Sequence, residues 1–340
     1  MAEYSHLSTP DPEFAKVWEQ VKGLYPAPGT ITVAGQRHAM NTIVIPSAMD
    51  RLRPMLPSKS SYGVTDHTIA VDDGSIVLRC IQPAPKHGES GSFPLLVWFH
   101  GGGWISGNLD FDDFYLRILS VELRLSIVNV DYRLVPEHPF PTGLNNCYAA
   151  LKWTATNAAA LSASLSKGFL IAGGSGGAHY AAAIAHRARD DSFFETRKLT
   201  GHLLQIPSLL HPQANREKYK ADLLSAEQNK DAPVMGKANL DFFFSCLQAD
   251  PSDLEISPLL LPHENLPPLY IQVTGFDPLR DEGLFYEKLL RTEGGVKTKL
   301  DVYPGVPHAF HASFPQLEQS KKWEVDVREG IQWLLGGPRI

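Results

Sequence analysis

Short apolar runs, many of them rich in β-branched residues, recur along the chain from about residue 65 and end at turn-forming residues. Runs of this kind are typical of strands that are buried on both faces of a sheet. Several of them are separated by stretches with apolar positions at helical spacing, and another such stretch closes the chain. This alternation predicts a mostly parallel sheet covered by helices on both sides. The runs are 76–81, 95–99, 127–130, 169–172, 203–206, 269–273 and 300–303, and the helical stretches include 144–156, 178–189 and 284–292.

Two segments fall outside this alternation. Residues 10–25 carry one apolar stripe at helical spacing, and the mouth of a site is the simplest surface for that stripe to cover. The alternative is that this helix packs on the outside of the body and never meets substrate. A stretch at about 207–262 is longer than a crossover needs and holds the aromatic cluster 242–244. We therefore expect an N-terminal cap segment at 1–60 and a catalytic domain at 61–340 that contains the second cap insertion. The stripe consists of Phe14, Val17, Trp18, Val21 and Leu24.

Composition narrows the classes of partner. The 340 residues are 43% apolar and 20% charged, which is typical of a globular chain with a large core. Lys and Arg number 31 against 37 Asp and Glu, and the net charge of -6 argues against a nucleic acid or an anionic membrane as partner. Cys80, Cys147 and Cys246 fit neither a disulfide framework nor zinc-ligand spacing. Without a signal-like start or a long apolar stretch, we expect a cytoplasmic protein with no stable membrane association.

The chemistry is concentrated around Ser175, in the sequence Gly-Gly-Ser-Gly-Gly between a predicted strand and an alanine-rich helix. Glycines two residues before and after a serine suit a sharp strand-to-helix turn that exposes the hydroxyl above the sheet. The alternatives are a structural turn or a phosphate loop. A phosphate loop requires a Lys-Ser/Thr pair that is absent here, and the spacing of a dinucleotide fingerprint is not met.

A serine nucleophile needs a base and a carboxylate that orients the base. Asp277 follows the predicted strand 269–273 by a few residues. Asp281 is the competing candidate, although an acid at the start of a helix often only caps that helix. Farther along, His308 and His311 follow the last predicted strand. The order serine, acid, histidine is the one found in hydrolases of this architecture.

A fourth element, His100-Gly-Gly-Gly-Trp104, follows the run 95–99 directly. Consecutive glycines expose main-chain N–H groups, which can point at the oxyanion of a tetrahedral intermediate together with the N–H of Gly176. His100 precedes this loop and is expected to fix it by hydrogen bonding rather than to act in catalysis.

Together these motifs resemble the hormone-sensitive-lipase-like branch of the α/β-hydrolase family, in order from about residue 65 to the end. The resemblance implies an eight-stranded sheet, a helical cap and esterase activity without a cofactor or metal. It also implies a nucleophile at Ser175 with Asp277 and His308 as partners, and oxyanion donors at Gly102, Gly103 and Gly176. The segments that carry it are 100–104, 131–141, 173–177, 257–259, 277–281 and 305–310, in which Asp131, Arg133 and Glu137 are expected to support the site from below.

This chain departs from the family pattern beside the nucleophile. Gly174 stands where the family usually has an acid, and Gly176 where it has alanine. Ala178 and His179 replace a glycine and an asparagine. We expect His179 to take the place of the amide in the core, and a contact with substrate is the alternative. The N–H of Gly176 keeps the oxyanion hole feasible.

The leading hypothesis is a serine carboxylester hydrolase that acts on small to medium, neutral, fairly apolar esters or lactones, including acylated natural products. The alternative is the same triad used for acyl transfer, lactonisation or cyclisation. A ligand receptor on an inactive hydrolase scaffold is a third hypothesis, and the complete triad argues against it. The expected partner is a small-molecule ester, and the sequence leaves a homodimer open. The expected substrate contacts are Trp104, Phe242, Phe243 and Trp18.

Overall fold

Eight strands form a single sheet in the computed structural model, which describes residues 3–27, 29–214 and 217–336. The strands are β1 (Tyr62–Val71), β2 (Gly74–Pro83), β3 (Leu95–Phe99), β4 (Ser126–Asp131), β5 (Phe169–Gly174), β6 (Gly201–Gln205), β7 (Leu269–Phe276) and β8 (Thr298–Pro307). Their order across the sheet is β1-β2-β4-β3-β5-β6-β7-β8. β2 pairs antiparallel with β1 and β4, and all other pairs are parallel. The predicted mostly parallel sheet of eight strands is confirmed.

Helices cover both faces of this sheet. The helices are α1 (Pro12–Val21), α2 (Val33–Ala39), α3 (Ile45–Leu52), α4 (Asp113–Leu123), α5 (Thr142–Thr156), α6 (Gly176–Asp190), α7 (Ser225–Gln228), α8 (Lys237–Leu247), α9 (Arg280–Thr292), α10 (Phe310–Ser313) and α11 (Glu318–Leu334). α5, α6 and α9 pack on one face, and α4 and α11 pack on the other. The α/β-hydrolase architecture follows from this arrangement.

The central strand β3 shows why the runs in the sequence are continuously apolar. Leu95, Val97 and Phe99 enter the core beneath α5 and α6, whereas Leu96 and Trp98 enter the core beneath α4 and α11. Because successive side chains of a strand point to opposite faces, a strand with two covered faces needs apolar residues at every position.

Each of the seven predicted runs overlaps a strand, but β1 was not predicted. This strand lies at the edge of the sheet, pairs only with β2 among the described strands, and has mostly half-buried or exposed side chains. Its segment Thr65-Asp66-His67-Thr68 is polar, so the apolar pattern that marks the inner strands is missing. An edge strand of this kind leaves a weaker signal in the sequence.

The N-terminal segment forms two helical parts. In the first, α1 begins at the predicted place, because Asp11 accepts hydrogen bonds from the N–H groups of Glu13 and Phe14. Phe14 packs edge-on against Phe314 at a ring distance of 5.3 Å, near the carboxyl end of the chain. Leu24 lies beyond the end of α1 and is 84% exposed, so its assignment to the apolar stripe was wrong.

The second part is one continuous helical rod from α2 to α3, joined by a π-helical turn at Met40–Val44. The insertion between β6 and β7 contains α7 and α8. Position 28 of the expected cap segment and positions 215 and 216 of the insertion lie outside the described residues, as do 1, 2 and 337–340. Within the described part of the chain, no helix is long and apolar enough to cross a membrane.

Candidate active site

Ser175 occupies the sharp turn between β5 and α6 and has a left-handed backbone, with φ 52° and ψ -115°. Two glycines make this turn feasible. A Cβ on Gly177 would lie 2.1 Å from the main-chain oxygen of Phe99, and a Cβ on Gly173 would lie 2.4 Å from the carbonyl carbon of Gly177. The turn therefore requires glycine at both positions, as the spacing in the sequence indicated.

A continuous chain of hydrogen bonds joins Ser175, His308 and Asp277. The Oγ atom of Ser175 lies 2.9 Å from Nε2 of His308, and Nδ1 of the same ring lies 2.7 Å from Oδ2 of Asp277. These contacts assign the proton of a neutral imidazole to Nδ1 and leave Nε2 to accept the serine proton. Asp277 also accepts from the Thr274 hydroxyl at 2.8 Å and from the N–H of Leu279 at 2.9 Å. The carboxylate is 1% exposed and is held from three directions.

The competing acid is used elsewhere. Asp281 accepts from the N–H groups of Leu224 and Ser225 at 2.8 and 2.7 Å, and it pairs with Arg280 at 2.8 Å. It therefore anchors the start of α7 within the insertion. The structure brings Asp277, and not Asp281, to the imidazole.

The second histidine also has a different environment. The ring of His311 stacks on Trp323 at 4.3 Å with an interplanar angle of 8°. Burial lowers its pKa to about 3, with a further contribution from the neighbouring His308. His311 faces the cavity but makes no hydrogen bond to the serine.

The glycine loop after β3 lies against the elbow. Gly102 and Gly103 have φ values of 121° and 61°, and a Cβ on Gly102 would lie 2.2 Å from the Ser106 carbonyl oxygen. Their N–H groups make no hydrogen bond within the described residues. Gly176 begins α6, where the first N–H groups have no intrahelical partner. Three unpaired donors therefore adjoin Ser175, as an oxyanion hole requires.

His100 fixes this loop, as expected from the sequence. Its Nδ1 atom lies 2.8 Å from the Gly101 oxygen, and its ring stacks on Tyr132 at 4.3 Å. Tyr132 in turn donates its hydroxyl proton to the His100 carbonyl at 2.8 Å. Burial lowers the pKa of His100 to about 4, so the ring stays neutral at pH 7.

Trp104 supports the loop instead of binding in the cavity. Its Nε1 atom donates to the Gly176 carbonyl at 3.1 Å, and its ring packs edge-on against Phe244 and His179. His179 is fully buried and its Nε2 atom lies 2.9 Å from the Glu255 carbonyl oxygen. Both residues are absent from the cavity wall. The core role expected for His179 agrees with this position, whereas Trp104, expected to contact substrate, does not line the cavity.

Above the serine lies a cavity of about 250 Å³ whose wall includes Ser175 and His308. Phe243 lines it and covers Gly103, as expected for a substrate contact. Phe242 packs beside Phe243 at a ring distance of 5.9 Å and is not part of the wall.

The stripe of α1 covers a different surface from the one expected. Trp18 packs against Tyr25 and Phe314 at ring distances of 5.1 and 6.5 Å and is likewise not part of the cavity wall. Neither Trp18 nor Phe242 thus faces the cavity in which we expected them to contact substrate, because Trp18 packs against Tyr25 and Phe314 and Phe242 lies behind Phe243.

Other cap residues that line the cavity belong to the helical rod, which sequence reasoning missed. The rod residues that line the cavity include every fourth position, together with one charged side chain, and they are Gln36, Met40, Val44, Ala48, Leu52 and Arg51. An apolar row at this spacing is the signal that could have identified the rod.

The rod is fixed to the body by Arg37. Its guanidinium binds both carboxylate oxygens of Glu137, at 2.8 and 2.6 Å, and donates to the Ile105 carbonyl at 2.7 Å. Glu137, expected to support the site, therefore supports it through the cap. Arg133 donates to the main chain at Asp72 and to Asn146, so it braces the strand ends.

No group of three or more His, Cys, Asp or Glu side chains is arranged to hold a metal ion in residues 3–27, 29–214 and 217–336. The chemistry available at this site is that of an activated serine, a neutral imidazole and main-chain oxyanion donors.

Comparison with known proteins agrees with the geometry. The model of the α/β-hydrolase fold family matches residues 96–312. An AB hydrolase superfamily protein of Schizosaccharomyces pombe is 35% identical, with 97% of each chain covered. The versiconal hemiacetal acetate esterase of Dothistroma septosporum is 36% identical, with 84% of each chain covered. The solved structure of vibralactone cyclase has a TM-score of 0.93 and 42% identity, covering 97% of this chain and 96% of that one.

Proposed function

Since this chain belongs to the hormone-sensitive-lipase-like branch of the α/β-hydrolase family and is an esterase, we propose that it hydrolyses small to medium, neutral, fairly apolar esters or lactones. The observation that carries the proposal is the hydrogen-bonded chain from Ser175 through His308 to Asp277 at a cavity of about 250 Å³. This volume is near the lower end of the range of ligand pockets, about 300–1,000 Å³, and suits a small substrate.

The proposed reaction begins when Oγ of Ser175 attacks the ester carbonyl carbon while Nε2 of His308 takes the proton of this hydroxyl. Asp277 holds the resulting imidazolium by charge and orientation. The carbonyl oxygen becomes an oxyanion and accepts hydrogen bonds from the N–H groups of Gly102, Gly103 and Gly176. His308 then passes this proton to the leaving oxygen of the ester. The alcohol departs, and the acyl group stays bound to Ser175 as an acyl-enzyme. Water, deprotonated by the same imidazole, releases the acid.

The wall of the cavity supports an apolar substrate. Met40, Val44 and Leu52 of the rod and Phe243 of α8 all line the cavity. Apolar ester groups gain about 25 cal/mol for each Å² of surface that these side chains remove from water. Selection among esters would thus depend on the two cap segments, since the sheet supplies chemistry common to many esters.

Labelling with a phosphonate probe, followed by peptide mass analysis, tests the proposed nucleophile. We expect label on Ser175 and competition by p-nitrophenyl esters, with turnover highest for acyl groups of short to medium length. Label on another serine, or ester turnover that persists in labelled enzyme, would contradict the proposal.

A second candidate function is transfer of the acyl group within the substrate, which closes a ring. The similarity to vibralactone cyclase favours it, because that similarity covers nearly the whole of both chains. Product analysis in H₂¹⁸O distinguishes the two. Hydrolysis places one ¹⁸O atom in the released acid, whereas cyclisation of an acyl group that carries its own nucleophile places none in the ring.

A further inference from the structure

The cavity extends past Ser175 into a polar recess. Beyond Gly174 it continues between α4 and α11, on the face of the sheet that carries Trp98. We call this part the rear lobe and define it by the side chains of Trp98, Asp112, Tyr115, Gln205 and Trp323. The reaction described above uses none of them.

Gly174 forms the passage into the rear lobe. Unlike Gly102 and Gly103, it does not have a left-handed backbone, so any residue could adopt its conformation. A Cβ at this position would meet no heavy atom closer than 4.0 Å, where the Oε1 atom of Gln205 lies. The backbone therefore does not require glycine here, and the missing side chain leaves open space between Ser175 and the lobe.

The lobe holds polar atoms whose hydrogen-bonding capacity is not used. The Tyr115 hydroxyl is buried beside the Gln205 side chain, but no hydrogen bond joins the two or links the hydroxyl to another described residue. Oδ2 of Asp112 accepts from Nε1 of Trp98 at 2.7 Å, which leaves Oδ1 to accept from a ligand. Nε2 of Gln205 is committed to Gln272 at 2.8 Å, and its Oε1 atom faces Gly174.

Leaving a buried hydroxyl unpaired costs about 1–3 kcal/mol, so a lobe with these atoms favours a ligand that supplies the missing hydrogen bonds. A hydroxyl group fits, because it can donate to Asp112 or Gln205 and accept from Tyr115. Burial raises the pKa of Asp112 to about 6, because a partly dry site disfavours the charged carboxylate.

We propose that the acyl chain of the substrate passes Gly174 into the rear lobe, where Tyr115 and Asp112 select a hydroxyl group at its far end. The acyl chain is the part that can take this path, since His308 must stay beside the leaving oxygen to protonate it. The inference rests on the proposed esterase function and narrows its substrates to hydroxylated acyl groups.

The test compares p-nitrophenyl esters in pairs, each pair having the same chain length and ending in either a hydroxyl or a methyl group. At the chain length that reaches the lobe, we expect kcat/KM of the hydroxyl-ended ester to exceed that of its partner by about tenfold or more. An apolar recess would give the opposite preference, because the hydroxyl would lose its water without replacement.

Three variants locate the effect. Tyr115→Phe and Asp112→Asn keep the shape of the lobe and should each reduce the hydroxyl preference to near one. Gly174→Val should block the passage and lower the rates of both long esters relative to acetate. Tyr219→Phe, whose ring packs on Phe285 outside the cavity, is the matched control and should change neither the rates nor their ratio.

The outcomes separate this inference from the function on which it rests. If no ester is turned over and no phosphonate labels Ser175, the proposed function fails and the inference with it. If esters are hydrolysed but no chain length shows a hydroxyl preference, or the preference survives Tyr115→Phe and Asp112→Asn, the inference alone is overturned.

Discussion

Replacing Asp277 by Asn tests how the triad works, because two of the contacts of this carboxylate make conflicting demands on an amide. Oδ1 accepts from the N–H of Leu279 at 2.9 Å, and Oδ2 accepts from Nδ1 of His308 at 2.7 Å. An Asn side chain has one oxygen and one NH₂ group. If the oxygen stays with Leu279, the NH₂ group faces His308, whose Nδ1 must then accept and whose proton moves to Nε2. In that tautomer the imidazole cannot take the serine proton.

The opposite orientation restores the tautomer but places NH₂ against the buried N–H of Leu279. Leaving that donor unpaired costs about 1–3 kcal/mol, which makes the productive orientation about 5-fold to 150-fold rarer. The imidazolium also loses its negative partner. We therefore expect kcat to fall about ten-thousand-fold in all, the loss known for this substitution in another serine hydrolase triad.

The assay is hydrolysis of p-nitrophenyl butyrate by purified enzyme whose folding has been checked by near-UV circular dichroism. Asp281→Asn is the matched control, because it changes an equally buried carboxylate that anchors α7. Asp281→Asn should lower the melting temperature, and it should lower kcat far less than Asp277→Asn does. A loss below tenfold in Asp277→Asn, or a larger loss in a folded Asp281→Asn enzyme, would refute this account of the triad.

Further predictions concern the nucleophile, the elbow and buried histidines. Ser175→Ala should lower kcat for the same ester about a million-fold, whereas His311→Ala should lower this kcat much less. Gly177→Ala should destabilise the fold by about 3 kcal/mol or more in urea unfolding because its Cβ overlaps a main-chain oxygen of β3, whereas Gly174→Ala should cost less than about 1 kcal/mol. Burial lowers the pKa of His202 to about 3. Below about pH 6.5 the unfolded chain therefore binds a proton at this ring that the folded chain does not bind. The free energy of unfolding then falls by up to about 1.4 kcal/mol for each pH unit of acidification. In His202→Gln the loss of stability between pH 7 and 5 that is due to His202 should disappear, as followed by thermal melts. A variant with the same dependence of stability on pH as the unchanged protein would contradict this prediction.

The sheet and the residues around Ser175 were predictable because each leaves a local signal. Strands covered on both faces are continuously apolar, and the elbow requires glycine at Gly173 and Gly177 for steric reasons. The choice between Asp277 and Asp281 was also predictable from position, since the first ends a strand and the second begins a helix.

What covers the site could not be predicted, because it depends on contacts between distant segments. The stripe of α1 identified an amphipathic helix but not the surface that it covers, which proved to be the aromatic group around Phe314. The ion pair between Arg37 and Glu137 joins residues a hundred positions apart. The rear lobe left no motif either, since an acid just before a helix, such as Asp112, and an aromatic residue inside one, such as Tyr115, are common in folded proteins.

The π-helical turn at Met40–Val44 determines which side chains meet the substrate. On an α-helix of 3.6 residues per turn, a row of every fourth residue drifts about 40° at each step. Over the four steps from Gln36 to Leu52 the drift would reach about 160° and carry the end of the row to the opposite side. The wider turn, with its i to i+5 hydrogen bonds, takes part of this rotation back. Loss of a single residue there would turn the downstream half of the rod by about 100° and exchange Ala48 and Leu52 for other side chains. In this fold one deletion, without any substitution, can therefore change which side chains of the rod line the binding cavity. Related enzymes could diverge in substrate preference through the length of this turn alone.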